Sequence, residues 1–169
     1  MAEEKKVRQK IEDVISDLLK GDMKTNALDF IAWLRENKIA ITKNSESAYT
    51  FKIMGKSAGR IFIEKDNFVI EPYINYKNKE IDVLITDAGM QDVIWDNLFL
   101  CRRCAPHNCT PEVNESKDNF IGFKKIILGK EFNNLCKSEG IRYPCPDEKT
   151  INFIKTIIEF DQQMKINMA

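Results

Sequence analysis

Between Lys6 and Lys20 apolar residues recur at helical spacing, at Val7, Ile11, Val14, Ile15, Leu18 and Leu19. One buried stripe on an amphipathic helix accounts for them, and Gly21 supplies the stop. Such a stripe can serve a partner, but packing on the chain's own core is its commoner use. A second helix is expected from Asn26, a good cap with Asp29 three residues on, to about Asn37. Ala27, Phe30, Ile31 and Leu34 make its inner face, with Trp33 at the rim of the core.

The period then switches to two. Tyr49, Phe51 and Ile53 alternate with Thr50, Lys52 and Met54, and Arg60 to Glu64 alternates around Ile61 and Ile63. Phe68, Ile70 and Pro72 follow, with Gly55-Lys56-Ser57 and Asp66-Asn67 as turn signals between the runs. Three short strands with tight connections make an antiparallel meander, and Pro72 places the third at an end or edge. Ile81, Val83 and Ile85 read as a short fourth strand or as a loop dipping into the core. Thr86 or Asp87 then caps a third helix reaching about Phe99, with Met90, Val93, Ile94, Trp95 and Leu98 inward.

The stretch from Thr110 to Asn119 is polar and aperiodic, hence a loop, whereas Phe120, Phe123, Ile126, Ile127 and Leu128 need cover and Gly129 marks a turn. The last helix opens at Cys145-Pro146-Asp147-Glu148, with proline at the first helical position and acids in the first turn. It carries Ile151, Ile154, Ile157, Ile158 and Met164 to about residue 166. The expected class is α+β: a short antiparallel β-meander of three strands, or four, packed by N-terminal helices, a middle helix and a long C-terminal helix, with a cysteine-rich loop region.

A chain of 169 residues fits one domain. Residues 1–22 read as a helical extension and 100–145 as a cysteine-rich, metal-clipped segment. The 43% hydrophobic and 31% charged fractions exclude a disordered chain. Lys plus Arg and Asp plus Glu balance at 26 each, so no global field favours nucleic acid or an anionic membrane. The first residues, Met-Ala-Glu-Glu-Lys-Lys-Val-Arg, lack the apolar core of a secretory signal, and no apolar run is long enough to span a bilayer. A cytoplasmic setting is therefore expected, where clustered thiols read as metal ligands or redox groups before disulfides.

Those thiols are the chain's most specific feature. Cys101, Cys104 and Cys109 have the pattern C-x2-C-x4-C, and Cys136 follows. A tetrahedral zinc wants closely spaced ligands from a turn plus others from elsewhere in the fold, so these four are the candidate metal ligands and structural Zn2+ the expected cofactor. Arg102, Arg103, Lys124, Lys125 and Lys130 are near enough in sequence to offset the negative charge of a thiolate site. Unligated packed thiols, a Cys101/Cys104 redox pair and an iron–sulfur cluster are the competing readings. His107, the single histidine, is left beside the set, and Cys145 reads as a cap-position or packing residue. One histidine and no nucleophile elbow leave no case for a hydrolytic triad, and Gly55-Lys56-Ser57 lacks the preceding glycine of a phosphate loop.

The helix wording Asn-Ala-Leu-Asp-Phe-Ile-Ala-Trp-Leu-Arg-Glu-Asn at 26–37, the cysteine trio at 101–109 and Leu-Gly-Lys-Glu-Phe-Asn-Asn-Leu-Cys at 128–136 together resemble a small bacterial family without an assigned activity. The resemblance covers about residues 24–165. It implies a similar helix, a short meander and a C-x2-C-rich turn, treats the four cysteines as one set, and leaves Cys145 outside it. It transfers no activity. The expected function is a soluble binding or regulatory module for a small molecule or a protein, with a structural zinc. The alternatives are a thiol-dependent redox protein using Cys101 and Cys104, and a nucleic-acid-binding module, which Arg102 and Arg103 favour and the balanced charge opposes.

Overall fold

The computed structural model describes residues 9–73, 78–99, 123–135 and 140–167. Helix α1 runs over Ile11–Leu18, with Ile11, Val14 and Ile15 buried. It ends where Leu19 turns extended, and Gly21, at φ +55°, already opens α2, Gly21–Glu36. Asn26 therefore lies inside α2 and caps nothing; its side chain donates to Pro146 O at 3.3 Å. The earlier start has a simple reason. Met23, four positions before Ala27, already continues the apolar stripe, and Asp22 sits favourably at the positive end of the helix dipole.

The end of α2 is a six-residue Schellman closure. Ile39 N–H donates to Leu34 O at 2.8 Å and Lys38 N–H to Arg35 O at 3.0 Å, while Lys38 takes φ +58°. A lysine thus occupies the left-handed position that glycine fills at no steric cost.

Strands β1 (Ala40–Lys43), β2 (Ala48–Ile53), β3 (Lys56–Glu64) and β4 (Asn67–Pro72) follow in a meander. The meander expectation holds, extended by β1, an exposed edge strand too short to show an alternating pattern. The β2–β3 turn is Met54-Gly55, one residue earlier than the glycine-lysine-serine signal suggested, because Lys56 already pairs with Ile53. Both turn residues have positive φ, +49° and +78°, as a two-residue hairpin of primed type requires.

The alternation at Ile81, Val83 and Ile85 is not a strand. Lys79–Asp87 is helix α3, capped by Asn78, whose side chain accepts from Glu80 N–H at 3.0 Å. Ile81 and Ile85, four apart, are buried, and Val83 between them is exposed. The spacing suits both periods, and the cap decides between them. The expected long helix from Thr86 to Phe99 is also corrected. Thr86 and Asp87 end α3, Gly89 (φ +62°) breaks the chain with a second Schellman closure, and α4 spans only Gln91–Asp96.

Strands β5 (Phe123–Ile127) and β6 (Lys130–Leu135) form a separate hairpin around Leu128-Gly129, the turn expected at Gly129. Strand β7 is Tyr143–Pro144, and α5 closes the chain over Glu148–Asn167. Here Asp147 is the cap, accepting from Thr150 N–H at 2.8 Å, and Pro146 precedes it instead of standing inside the helix. The larger sheet has the order β1-β2-β3-β4-β7, so the class is α+β with a five-stranded antiparallel sheet and a two-stranded one.

Two compact units divide the chain. The first, Met1–Ile70 with Pro144–Thr156, has its core in Ile15, Phe30, Ile31, Leu34, Phe51, Ile61, Ile63, Phe68 and Ile154. There the Phe30 ring stacks on Trp33 and meets Phe51 edge-on, and the Trp33 indole is half-buried as a rim residue should be. The second, Glu71–Tyr143 with Ile157–Ala169, buries Ile81, Ile85, Met90, Ile94, Leu98, Ile141 and Ile157.

The helix ends generate two predictions. Lys38→Gly removes the left-handed penalty at a motif that Gly89 satisfies without it, and should raise stability by roughly 0.5–1 kcal/mol in urea unfolding. The Asp147 carboxyl is held below its ordinary value of 3.8, first by the Thr150 hydrogen bonds. A depressed carboxyl contributes stability above its unfolded pKa and loses it as pH falls through the folded one. Asp147→Ala should therefore cost about 1 kcal/mol at pH 7, and the gap from wild type should close in strong acid.

Candidate functional site

The four expected zinc ligands, Cys101, Cys104, Cys109 and Cys136, lie outside the described residues, as do Arg102, Arg103 and His107. Among the described residues no three His, Cys, Asp or Glu side chains are grouped as a metal site. The described structure does contain the chain on both sides of the cysteine segment, and these flanks are joined.

Leu98 and Ile141, both buried, face each other in an antiparallel bridge. Phe99 N–H donates to Gly140 O at 3.0 Å, and Arg142 N–H donates to Asn97 O at 3.1 Å. Residue 99 stands two positions before Cys101 and residue 140 four positions after Cys136. The segment thus leaves and returns through one neck.

Side chains lock that neck. Glu71, on β4, is 3% exposed and accepts from Arg142 Nε at 2.8 Å. The guanidinium carbon of Arg142 lies 4.1 Å from the centre of the Phe99 ring, a cation–π geometry. Gly140 fits beneath them because it has no side chain: a Cβ there would stand 3.3 Å from Glu71 Oε1 and 3.5 Å from Phe99 Cδ2. A buried carboxylate needs a cationic or hydrogen-bonding partner, since desolvation otherwise disfavours the charged form. Arg142 meets that need while keeping 45% of its side chain in solvent.

The β5–β6 hairpin carries the other approach to Cys136. Phe123 pairs with Leu135, which immediately precedes that cysteine. Trp95 Nε1 donates to Ile127 O at 3.0 Å, and Lys130 Nζ lies 4.8 Å from the Trp95 ring centre and 5.5 Å from that of Phe132. These contacts attach the hairpin to α4; an isolated two-stranded ribbon is only marginally stable in water. Of the lysines expected to offset thiolate charge, Lys124 pairs with Glu131 at 2.9 Å and Lys130 sits over the aromatic rings.

Cys145 is neither cap nor packing residue. It is exposed, at φ +45°, with its N–H donating to Phe68 O and its thiol 3.9 Å from Met23 Sδ and 3.7 Å from Asn67 Oδ1. The helix cap falls to Asp147 because a carboxylate accepts the free N–H better than a thiol does. Elsewhere, burial pushes Glu12 up but the Arg35 hydrogen bond and charge outweigh it, leaving the carboxyl below its usual range. Burial, helped by Glu12, raises the Tyr49 phenol.

Sequence reasoning singled out none of Glu71, Phe99, Gly140 and Arg142. A signal was present for two of them. Glu71 is a lone acid inside the run Phe68–Pro72, and Arg142 a lone base between Ile141 and Tyr143. An isolated charge in an apolar stretch marks a group that pairs, buried as at Glu71 or reaching in from solvent as at Arg142.

Removing the guanidinium should show how much the neck depends on it. With Arg142 half in solvent the effect is smaller than for a fully buried pair, and Arg142→Ala is expected to cost about 2 kcal/mol in chemical unfolding. Gly140→Ala should also destabilise, since the buried Glu71 carboxylate would have to shift.

No protein-family model, curated protein or solved structure matches this chain.

Proposed function

We propose that this chain is a binding or regulatory module for a small molecule or a protein, with the segment that follows Phe99 clipped by a structural zinc on Cys101, Cys104, Cys109 and Cys136. The observation that carries the reading is the neck. It brings the stretch entering the cysteine trio against the stretch that leaves Cys136, as a site built from both must have. The Phe123–Leu135 pairing supports it further, because it shortens the chain between Cys109 and Cys136.

Zinc suits this arrangement on chemical grounds. It binds thiolates tetrahedrally, has no redox chemistry of its own, and orders segments with little regular structure. The single histidine and the absence of a nucleophile motif in the sequence favour binding over catalysis. No described helix is long and apolar enough to cross a membrane.

Metal analysis of protein purified without chelator tests the reading. One zinc per chain is expected in the wild type, and Cys136→Ser should lose it together with a clear drop in thermal midpoint. A metal-free wild type whose stability matches that of Cys136→Ser overturns the proposal. If, in that metal-free protein, Cys101 and Cys104 cycle reversibly between dithiol and disulfide, the redox reading replaces it.

A further inference from the structure

We infer that Trp95 and Phe132 form a binding corner for a methylated ammonium group, with Lys130 as a built-in plug that such a ligand displaces. The corner lies wholly among the described residues and does not depend on the zinc. Lys130 Nζ is 4.8 Å from the Trp95 ring centre and 5.5 Å from that of Phe132. One ammonium is therefore within cation–π range of two ring faces, and the structure already shows this corner holding a cation.

Both rings are held without the lysine's help. Trp95 Nε1 donates to Ile127 O at 3.0 Å, and Phe132 is fixed on β6 opposite Lys125. Each ring is half-buried, whereas Lys130 is exposed. Withdrawing the lysine thus leaves a preformed aromatic surface facing water, and such preorganisation lowers the cost of binding a small ligand. Asp92 adds a negative charge on the same helix: it is exposed and stands three positions before Trp95, on the same side of α4.

Hydration decides the class of ligand. A lysine ammonium is compact and strongly hydrated, and holding its long stem in one place costs rotamer entropy. An exposed cation–π contact returns little more than that cost, so the plug is weakly held. Methyl groups in place of the N–H bonds keep the charge but spread it over a larger, less hydrated surface. That surface loses less water on binding and covers more of the rings. A quaternary ammonium is thus preferred over a plain ammonium or an inorganic cation, whether it belongs to a free small molecule or to a trimethylated lysine of a protein.

The test follows the full chain by nuclear magnetic resonance at constant ionic strength. In the free protein the Lys130 ε-methylene protons should lie upfield of ordinary lysine positions, because ring currents shield protons above an aromatic face. Choline should return them towards ordinary positions while shifting the Trp95 indole N–H, which Trp33→Phe identifies among the two indole signals. Potassium at the same concentration should do neither. Lys130→Ala should bind choline about two- to fivefold more tightly than the wild type, the factor an exposed cation–π contact supplies, and Trp95→Leu should lose binding. A trimethyllysine peptide beside its unmethylated form distinguishes the source: tighter binding of the methylated peptide than of choline assigns the corner to a protein partner, and equal binding to the free headgroup. If choline moves neither signal in the wild type or in Lys130→Ala, or if potassium moves both equally, the proposal is overturned. Either result leaves the zinc reading and its metal analysis untouched. The wild-type displacement measurement decides the matter even if Trp95→Leu fails to fold.

Discussion

The arrangement around residues 97–99 and 140–142 depends on one constraint: a carboxylate buried on a strand must keep its charge compensated. Glu71 is nearly inaccessible, and Arg142 Nε donates a short hydrogen bond to it. Arg142 cannot reach Glu71 unless the chain around Ile141 lies against β4. Once it does, Leu98 and Ile141 bury together, Phe99 lies against the guanidinium, and a side chain at residue 140 would crowd the Glu71 carboxylate. Each feature is a modest interaction. Their mutual dependence makes the neck act as a unit, since losing one partner exposes the others to water.

Chain direction elsewhere is set by turns whose chemistry is local. Two helices end in the same Schellman closure, one through Gly89 and the other through Lys38, so the motif forms whether or not glycine is present. What sustains it at Lys38 is the residue after it, because Ile39 is buried and holds the chain in place. The hairpin turns Met54-Gly55 and Leu128-Gly129 repeat the theme. Each has positive φ at both positions, and in each the bulky first residue is carried by strands already paired on either side. Tertiary burial and strand pairing thus tolerate local strain of about 1 kcal/mol at each such site.

Where the reading of elements failed, two periods fitted the same residues. Ile81, Val83 and Ile85 satisfy alternation, but Ile81 and Ile85 also satisfy a helical repeat, and Asn78 tips the balance by capping α3. The start of α2 was hidden by Asn26, a good cap residue that lies inside the helix, and β1 by its exposure at the sheet edge. The candidate site was legible in one respect only. Four cysteines stand out by composition, whereas the neck that joins their flanks is made of residues scattered between Glu71 and Arg142 with no shared motif.

By itself the sequence determined the α+β class, the meander, most of the helix faces and the long closing helix, because periodicity and capping are carried by neighbouring residues. Only the tertiary structure decided that Glu71 and Arg142 meet, that Phe99 and Gly140 lie side by side, and that the cysteine segment begins and ends at one place. The physical reason is that an ion pair between distant residues leaves no periodic trace. It exists through folding, when burial makes a solitary carboxylate costly and the chain must bring a cation to it.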